Sequence, residues 1–210
     1  MTHHPNDRCF PLSTAMAVCF LCFLFFVGPV KGETWQLDLP GENASVEFHA
    51  EGSPSALHIK GELEDPQQAI SGSFQIKDFK LTGKAQVLLD GFKTGIGLRD
   101  RHLKEKYWKT KDHPRATLEI TALQIPRAFG TDSFEAEEAF QGTFTLHGQT
   151  TPVEGRVKMK GEGKILTMKF NFSTMVTAHK IEVPSFMGVT VADKVRVEAA
   201  TTLRAMKEME

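Results

Sequence analysis

Gly155-Arg156-Val157-Lys158-Met159-Lys160-Gly161-Glu162-Gly163-Lys164-Ile165-Leu166-Thr167-Met168-Lys169-Phe170-Asn171-Phe172 alternates apolar and polar side chains on both sides of a glycine-flanked turn. Val157 and Met159, then Leu166, Met168, Phe170 and Phe172, occupy one phase. Arg156, Lys158 and Lys160, then Thr167, Lys169 and Asn171, occupy the other. A period of two puts each set on its own face of a strand. Two such runs joined by Gly161-Glu162-Gly163 read as an antiparallel hairpin with one dry face and one wet face.

The same pattern extends in both directions. Towards the C-terminus, Val191, Val195, Val197 and Ala199 stand against Lys194, Arg196 and Glu198. Towards the N-terminus, Phe140, Gly142, Phe144 and Leu146 form a run that ends in the turn His147-Gly148-Gln149-Thr150. Earlier runs fall at Ala116–Ala122, Ala85–Leu89, Phe74–Ile76, Leu57–Leu63, Val46–Phe48 and Trp35–Leu39. Turn residues separate them at Pro40-Gly41-Glu42-Asn43, Glu51-Gly52-Ser53-Pro54 and Glu64-Asp65-Pro66-Gln67-Gln68. Ala128–Ala139 reads as a polar, acidic loop, and Met175–Gly188 as irregular chain. Short strands punctuated in this way predict an all-β, antiparallel, eight-stranded barrel, a closure that removes exposed sheet edges.

One stretch breaks the period. After the turn Thr94-Gly95-Ile96-Gly97, Leu98, Leu103, Tyr107 and Trp108 are set among Arg99, Asp100, Arg101, His102, Lys104, Glu105 and Lys106. That spacing predicts a short amphipathic helix, solvated on its charged face, crossing one end of the barrel as a lid. Pro114 favours extended backbone at His113 and returns the chain to strand.

Residues 1–32 read as a signal peptide. Ala15–Val27 is an unbroken apolar run, short of the roughly 20 residues that span a bilayer, and cleavage is expected after Gly32. An uncleaved anchor is the alternative. Cys9, Cys19 and Cys22 all lie in this leader, so the expected mature domain, 33–210, has no cysteine for a disulfide, nucleophile or metal site. The formal charge of −1 becomes one unit more negative when Arg8, Lys31 and Asp7 leave with the leader. A near-neutral, exported domain is a poor match to nucleic acid. The expected location is periplasmic or secreted.

Catalytic signals are weak. Ser173, Ser185 and His179 are near in sequence without a G-x-S-x-G elbow, and the carboxylates fall on the polar phase of strands. No histidine pair has metal-ligand spacing, and His147 reads as bonding within its own hairpin. The reading is of a protein that is not an enzyme, with no metal and no cofactor.

Three stretches together resemble the YceI-like family. They are Thr94-Gly95 with Arg99-Asp100, His102-Leu103 and His113-Pro114; Phe140-x-Gly142-x-Phe144-x-Leu146-His147-Gly148-x-Thr150-x-Pro152-Val153; and Phe186 with Val191-x-Asp193-x-Val195-x-Val197. At its start the chain departs from the family pattern, since Asp38 is followed by Leu39-Pro40-Gly41-Glu42-Asn43-Ala44-Ser45 with no His-Ser pair. The resemblance implies a lipocalin-like barrel in an exported protein that holds an isoprenoid or similar long-chain amphiphile in an apolar cavity. Alternation alone suits a packed core equally well; with the resemblance, a cavity is expected. Its lining is then expected to include Leu98, Leu103, Trp108, Leu118, Phe144, Met168, Phe170 and Val195. Arg99, Asp100 and His102 would lie at the rim, near a head group. For Arg99 and Asp100 the favoured role is structural: pairing with backbone or with each other to pin the helix onto the barrel rim, with the head-group contact as the alternative. The expected partner is a long-chain lipid or polyprenyl ligand, with membrane contact for loading and a homodimer both compatible with the sequence. The alternative function is a packed barrel with a structural or stress-related interaction role.

Overall fold

The computed structural model describes residues 34–53, 58–186 and 189–207. The leader, the expected cleavage position after Gly32, and Leu57 lie outside the described residues. The strands in chain order are β1 (Thr34–Leu39), β2 (Glu42–Ser53), β3 (His58–Leu63), β4 (Ile70–Lys77), β5 (Lys80–Leu88), β6 (Phe92–Lys93), β7 (Arg115–Gln124), β8 (Phe134–Leu146), β9 (Gln149–Glu162), β10 (Ile165–Met175), β11 (Ser185–Phe186), β12 (Val189–Arg204) and β13 (Met206–Lys207). All belong to one sheet, and every pairing recorded in it is antiparallel.

The hairpin that opened the sequence reading is β9–β10. Met168 pairs with Met159 and Phe170 with Val157. In β10, Leu166, Met168, Phe170, Phe172 and Thr174 are buried, while Lys169 and Asn171 between them are exposed. The sheet then curls back on itself. β12 pairs with β10 on one side and with β2 on the other, and β13 reaches β1.

The strand count differs from the expected eight. The described residues hold thirteen strands, ten of six residues or more and three of two. The physical reason is interruption. β1 and β2 run as one ribbon broken at Pro40-Gly41, where a side chain at Gly41 would meet the backbone oxygen of Thr202 at 2.1 Å. Opposite it, β3 and β4 are separated by the helical turn α1 (Pro66–Ala69), capped by Asp65, whose carboxylate accepts the Gln68 N–H at 3.3 Å. β5 and β6 are separated by a 3₁₀ turn at Leu89–Gly91, and β12 and β13 by Ala205.

Two other segments differ from expectation. Half of the acidic stretch is strand: Phe134–Ala139 opens β8 and lies against β9. Glu135 faces Lys160 and Glu137 faces Lys158, so the acidic residues answer a basic row on the neighbouring strand. In the irregular segment, a 3₁₀ turn spans Val176–His179, and β11 adds a short pairing to β12.

The helix after Gly95 is α2 (Gly97–His102), continued by a π-helical turn at Leu103–Tyr107. The Trp108 N–H donates to the Leu103 carbonyl at 2.8 Å, a bond five residues long. Its polar face is not wholly solvated as expected, since Asp100 is buried.

Candidate functional site: an apolar chamber at one end of the sheet

The interior has two unlike halves. One half is filled. Leu37, Ile76, Leu81, Ile120, Val157 and Leu166 are essentially inaccessible to solvent there. A run of rings crosses it: Phe140 lies 5.5 Å from Phe170 and 6.2 Å from Phe172, and Phe170 lies 6.3 Å from Phe74. Interiors filled in this way have crystal-like density.

The other half encloses a chamber of about 470 Å³ beneath α2 and the π turn. Its wall is overwhelmingly apolar and comes from the ends of strands that continue into the filled half. β8 supplies Phe144 and Leu146, β12 supplies Val195 and Val197, and β2 supplies Val46 and Phe48. Leu98, Leu103, Tyr107 and Trp108 close it from above. Trp108 is fixed edge-on between Phe48 at 5.6 Å and Phe92 at 5.5 Å. Leu98 and Ile96 reach the wall while remaining 48% and 53% exposed, so they sit at the mouth.

Of the residues expected to line a cavity, Leu98, Leu103, Trp108, Phe144 and Val195 stand on this wall. Leu118, Met168 and Phe170 do not. Met168 and Phe170 are buried in the filled half, and Leu118 packs against that core, one inward-facing step along β7 from the wall residue Ala116. A period of two gives the face of a strand and nothing about depth along the barrel. Val46, Phe48 and Val191 of the wall were visible as alternating apolar positions. Ile181 was not, because it lies in irregular chain with no periodicity.

At the mouth, Arg99 and His102 border the chamber and Asp100 does not. Asp100 Oδ1 accepts the Thr94 N–H at 2.7 Å and the Thr94 hydroxyl. Arg99 donates from Nε to Thr94 Oγ1 at 2.7 Å and from Nη2 to the Thr94 carbonyl. The geometry therefore pins α2 to the strand before it. Burial opposes ionisation of Asp100, but the two Thr94 bonds, with Lys104 and Lys93 nearby, outweigh it and hold the carboxyl below its ordinary value. The Arg99 guanidinium is half-buried and pairs with no carboxylate among the described residues.

Beside the wall, His179 is fully buried. Its Nδ1 donates to the Gln149 carbonyl at 3.0 Å, which leaves Nε2 to accept the Thr174 hydroxyl at 2.8 Å. Burial pushes its pKa down against the opposing backbone bonds. His147 was expected to bond within its own hairpin. Instead its Nδ1 donates to the His179 carbonyl at 3.1 Å and ties the β8–β9 turn to the 3₁₀ turn. That turn has positive φ at His147 and Gly148, the geometry of a two-residue hairpin. Among the described residues no three His, Cys, Asp or Glu side chains gather as a metal site.

A curled antiparallel sheet, filled at one end and hollow at the other under a helical cover, defines a barrel-like β protein with an apolar end chamber. The chain belongs to the YceI-like family, whose domain model matches residues 35–203. No curated protein sequence matches it. Among solved structures it is similar to BcnA of Burkholderia cenocepacia, with 15% identity and a TM-score of 0.59 over 76% of this chain and 95% of that one. It is also similar to a polyisoprenoid-binding domain from Saccharophagus degradans, with 11% identity and a TM-score of 0.60 over 82% of this chain and 98% of that one.

Proposed function

We propose that this protein binds a long-chain isoprenoid or similar amphiphile, without catalysing a reaction, in an exported compartment. The observation that carries the reading is the 470 Å³ apolar chamber beneath α2. Each methylene moved from water to such a wall contributes about 0.8 kcal/mol before the cost of ordering the chain. A tail therefore binds there without a dedicated polar contact. The name of the Saccharophagus degradans domain, polyisoprenoid-binding, supports the same ligand class. Arg99 at the mouth suits an anionic head group, and exposed Ile96 and Leu98 suit loading from a membrane surface. The apolar run Ala15–Val27 supports export.

The test is native mass spectrometry of protein recovered from its own exported compartment, joined to titration with a fluorescent fatty-acyl probe. A co-purifying lipid or saturable probe binding, lost in a folded Val195→Glu variant, is expected. Neither lipid nor probe bound to folded protein would overturn the reading in favour of a ligand-free structural role.

A further inference from the structure

We infer that the helical cover seats this protein on an anionic lipid surface, with Ile96 and Leu98 in the headgroup layer and the basic side chains behind them against lipid phosphates. The inference rests on the lipid-binding reading and names the surface that loads the chamber. The turn before α2 stands clear of the barrel. A Cβ built on Gly95 or Gly97, on either side of Ile96, would meet no atom within 4 Å. Ile96 and Leu98 are exposed there, and both also border the chamber. Whatever receives this apolar tip therefore faces the mouth.

The segment behind the tip is basic in a chain that is not. From Gly97 to His113 there are six Lys and Arg residues against Asp100, Glu105 and Asp112, a net charge of +3, whereas the whole chain carries −1. Arg101, Lys106, Lys109 and Lys111 are exposed, and none of them forms an ion pair among the described residues. Asp100, the acid nearest the tip, is instead buried and held by Thr94. Leu98 and Arg101 stand three residues apart on α2, so an apolar and a cationic side chain share one exposed face. An anionic bilayer answers both features at once: its headgroup layer takes the apolar tip and its phosphates take the cations. Each basic side chain near such a surface strengthens partitioning about five-fold, an effect that salt screens. Seated this way, the mouth opens onto the headgroup layer, and a tail passes into the chamber without crossing water.

Flotation of protein recovered from its exported compartment tests the docking, with vesicles of phosphatidylcholine alone and of phosphatidylcholine containing phosphatidylglycerol. Partitioning onto the anionic vesicles is expected to be at least about ten-fold stronger, and to fall as salt is raised. Arg101→Gln and Lys106→Gln should each weaken it several-fold, and Ile96→Ser with Leu98→Ser should weaken it about ten-fold. Neither Arg101 nor Lys106 borders the chamber, so their variants should bind a fluorescent fatty-acyl probe in vesicle-free solution as the wild type does. Equal partitioning onto both vesicle types, or wild-type partitioning by the charge and tip variants, would overturn the docking. So would absence from both vesicle fractions, which would leave an acidic protein as the candidate occupant of this face. Each of these results leaves lipid binding standing if the probe still binds in solution. Vesicle docking without any probe binding would instead overturn the lipid-binding reading and, with it, the loading role.

Discussion

Thr94 gives both its backbone N–H and its hydroxyl to one carboxylate oxygen of Asp100, six residues on. Arg99 in turn donates to Thr94, so three side chains lock the start of α2 to the end of β6. Hydrogen bonds to a charged group contribute about 1.5–3 kcal/mol each. Thr94→Val keeps the shape, removes the hydroxyl donor and leaves Arg99 Nε without its acceptor. The expected result is a Tm lower by about 4 °C, with Thr94→Ser restoring most of it. An unchanged Tm in scanning calorimetry would show that the lock contributes nothing. Because the folded pKa of Asp100 lies below 3.8, its contribution is complete at neutral pH and is lost only as pH falls from 3.8 through the folded value.

His179 predicts a second pH dependence at milder acidity. Its folded pKa lies below the ordinary 6.5, mainly because burial disfavours the imidazolium. The unfolded chain therefore takes up a proton before the native protein does. Stability from this group is fully present above pH 6.5 and is lost as pH falls through the lowered folded value. Tm measured between neutral and mildly acidic pH should decline, and His179→Gln should flatten that decline while lowering Tm at neutral pH. A variant with the wild-type slope would assign the effect to another group.

The sheet and the cover were legible in the sequence for a physical reason. β10 alternates without interruption because one face is buried along its whole length, and the pattern changes at Leu98 because the chain leaves the sheet there. Breaks within ribbons were less legible. Pro40-Gly41 reads as a turn between strands, whereas it is a bend within one ribbon whose two halves pair with different neighbours. Phe134–Ala139 looked like a loop because its acidic outer residues have their basic counterparts on β9, a relationship that no local window contains. Asp100 looked solvated because helical spacing does not reveal that the strand end before it turns Thr94 towards it.

The division between filled and hollow halves predicts unequal costs for one chemical change. Val157 is wholly buried in the filled half, while Val195 is half-buried and borders the chamber. Val157→Ala leaves a void among packed neighbours and should cost about 2 kcal/mol. Val195→Ala enlarges a space that already exists and should cost well under about 1 kcal/mol. Urea denaturation of both variants measures the difference. Equal losses would mean that the chamber is filled by rearranged side chains in solution.

The two tryptophans supply an internal control for occupancy of the chamber. Trp108 is on the chamber wall, against Phe48 and Phe92. Trp35 is buried at 7% exposure in the filled half, edge-on to Phe129 at 5.8 Å, and Lys164 lies 5.4 Å from its ring. A chain entering the chamber displaces whatever lies against the Trp108 ring and leaves the Trp35 surroundings unchanged. In Trp35→Phe, emission should shift or change in intensity as a long-chain fatty acid is added. In Trp108→Phe the remaining emission should stay constant through the same titration. A response from Trp35 alone would place the ligand outside the chamber. Equal responses from both would show that binding reorganises the packed half.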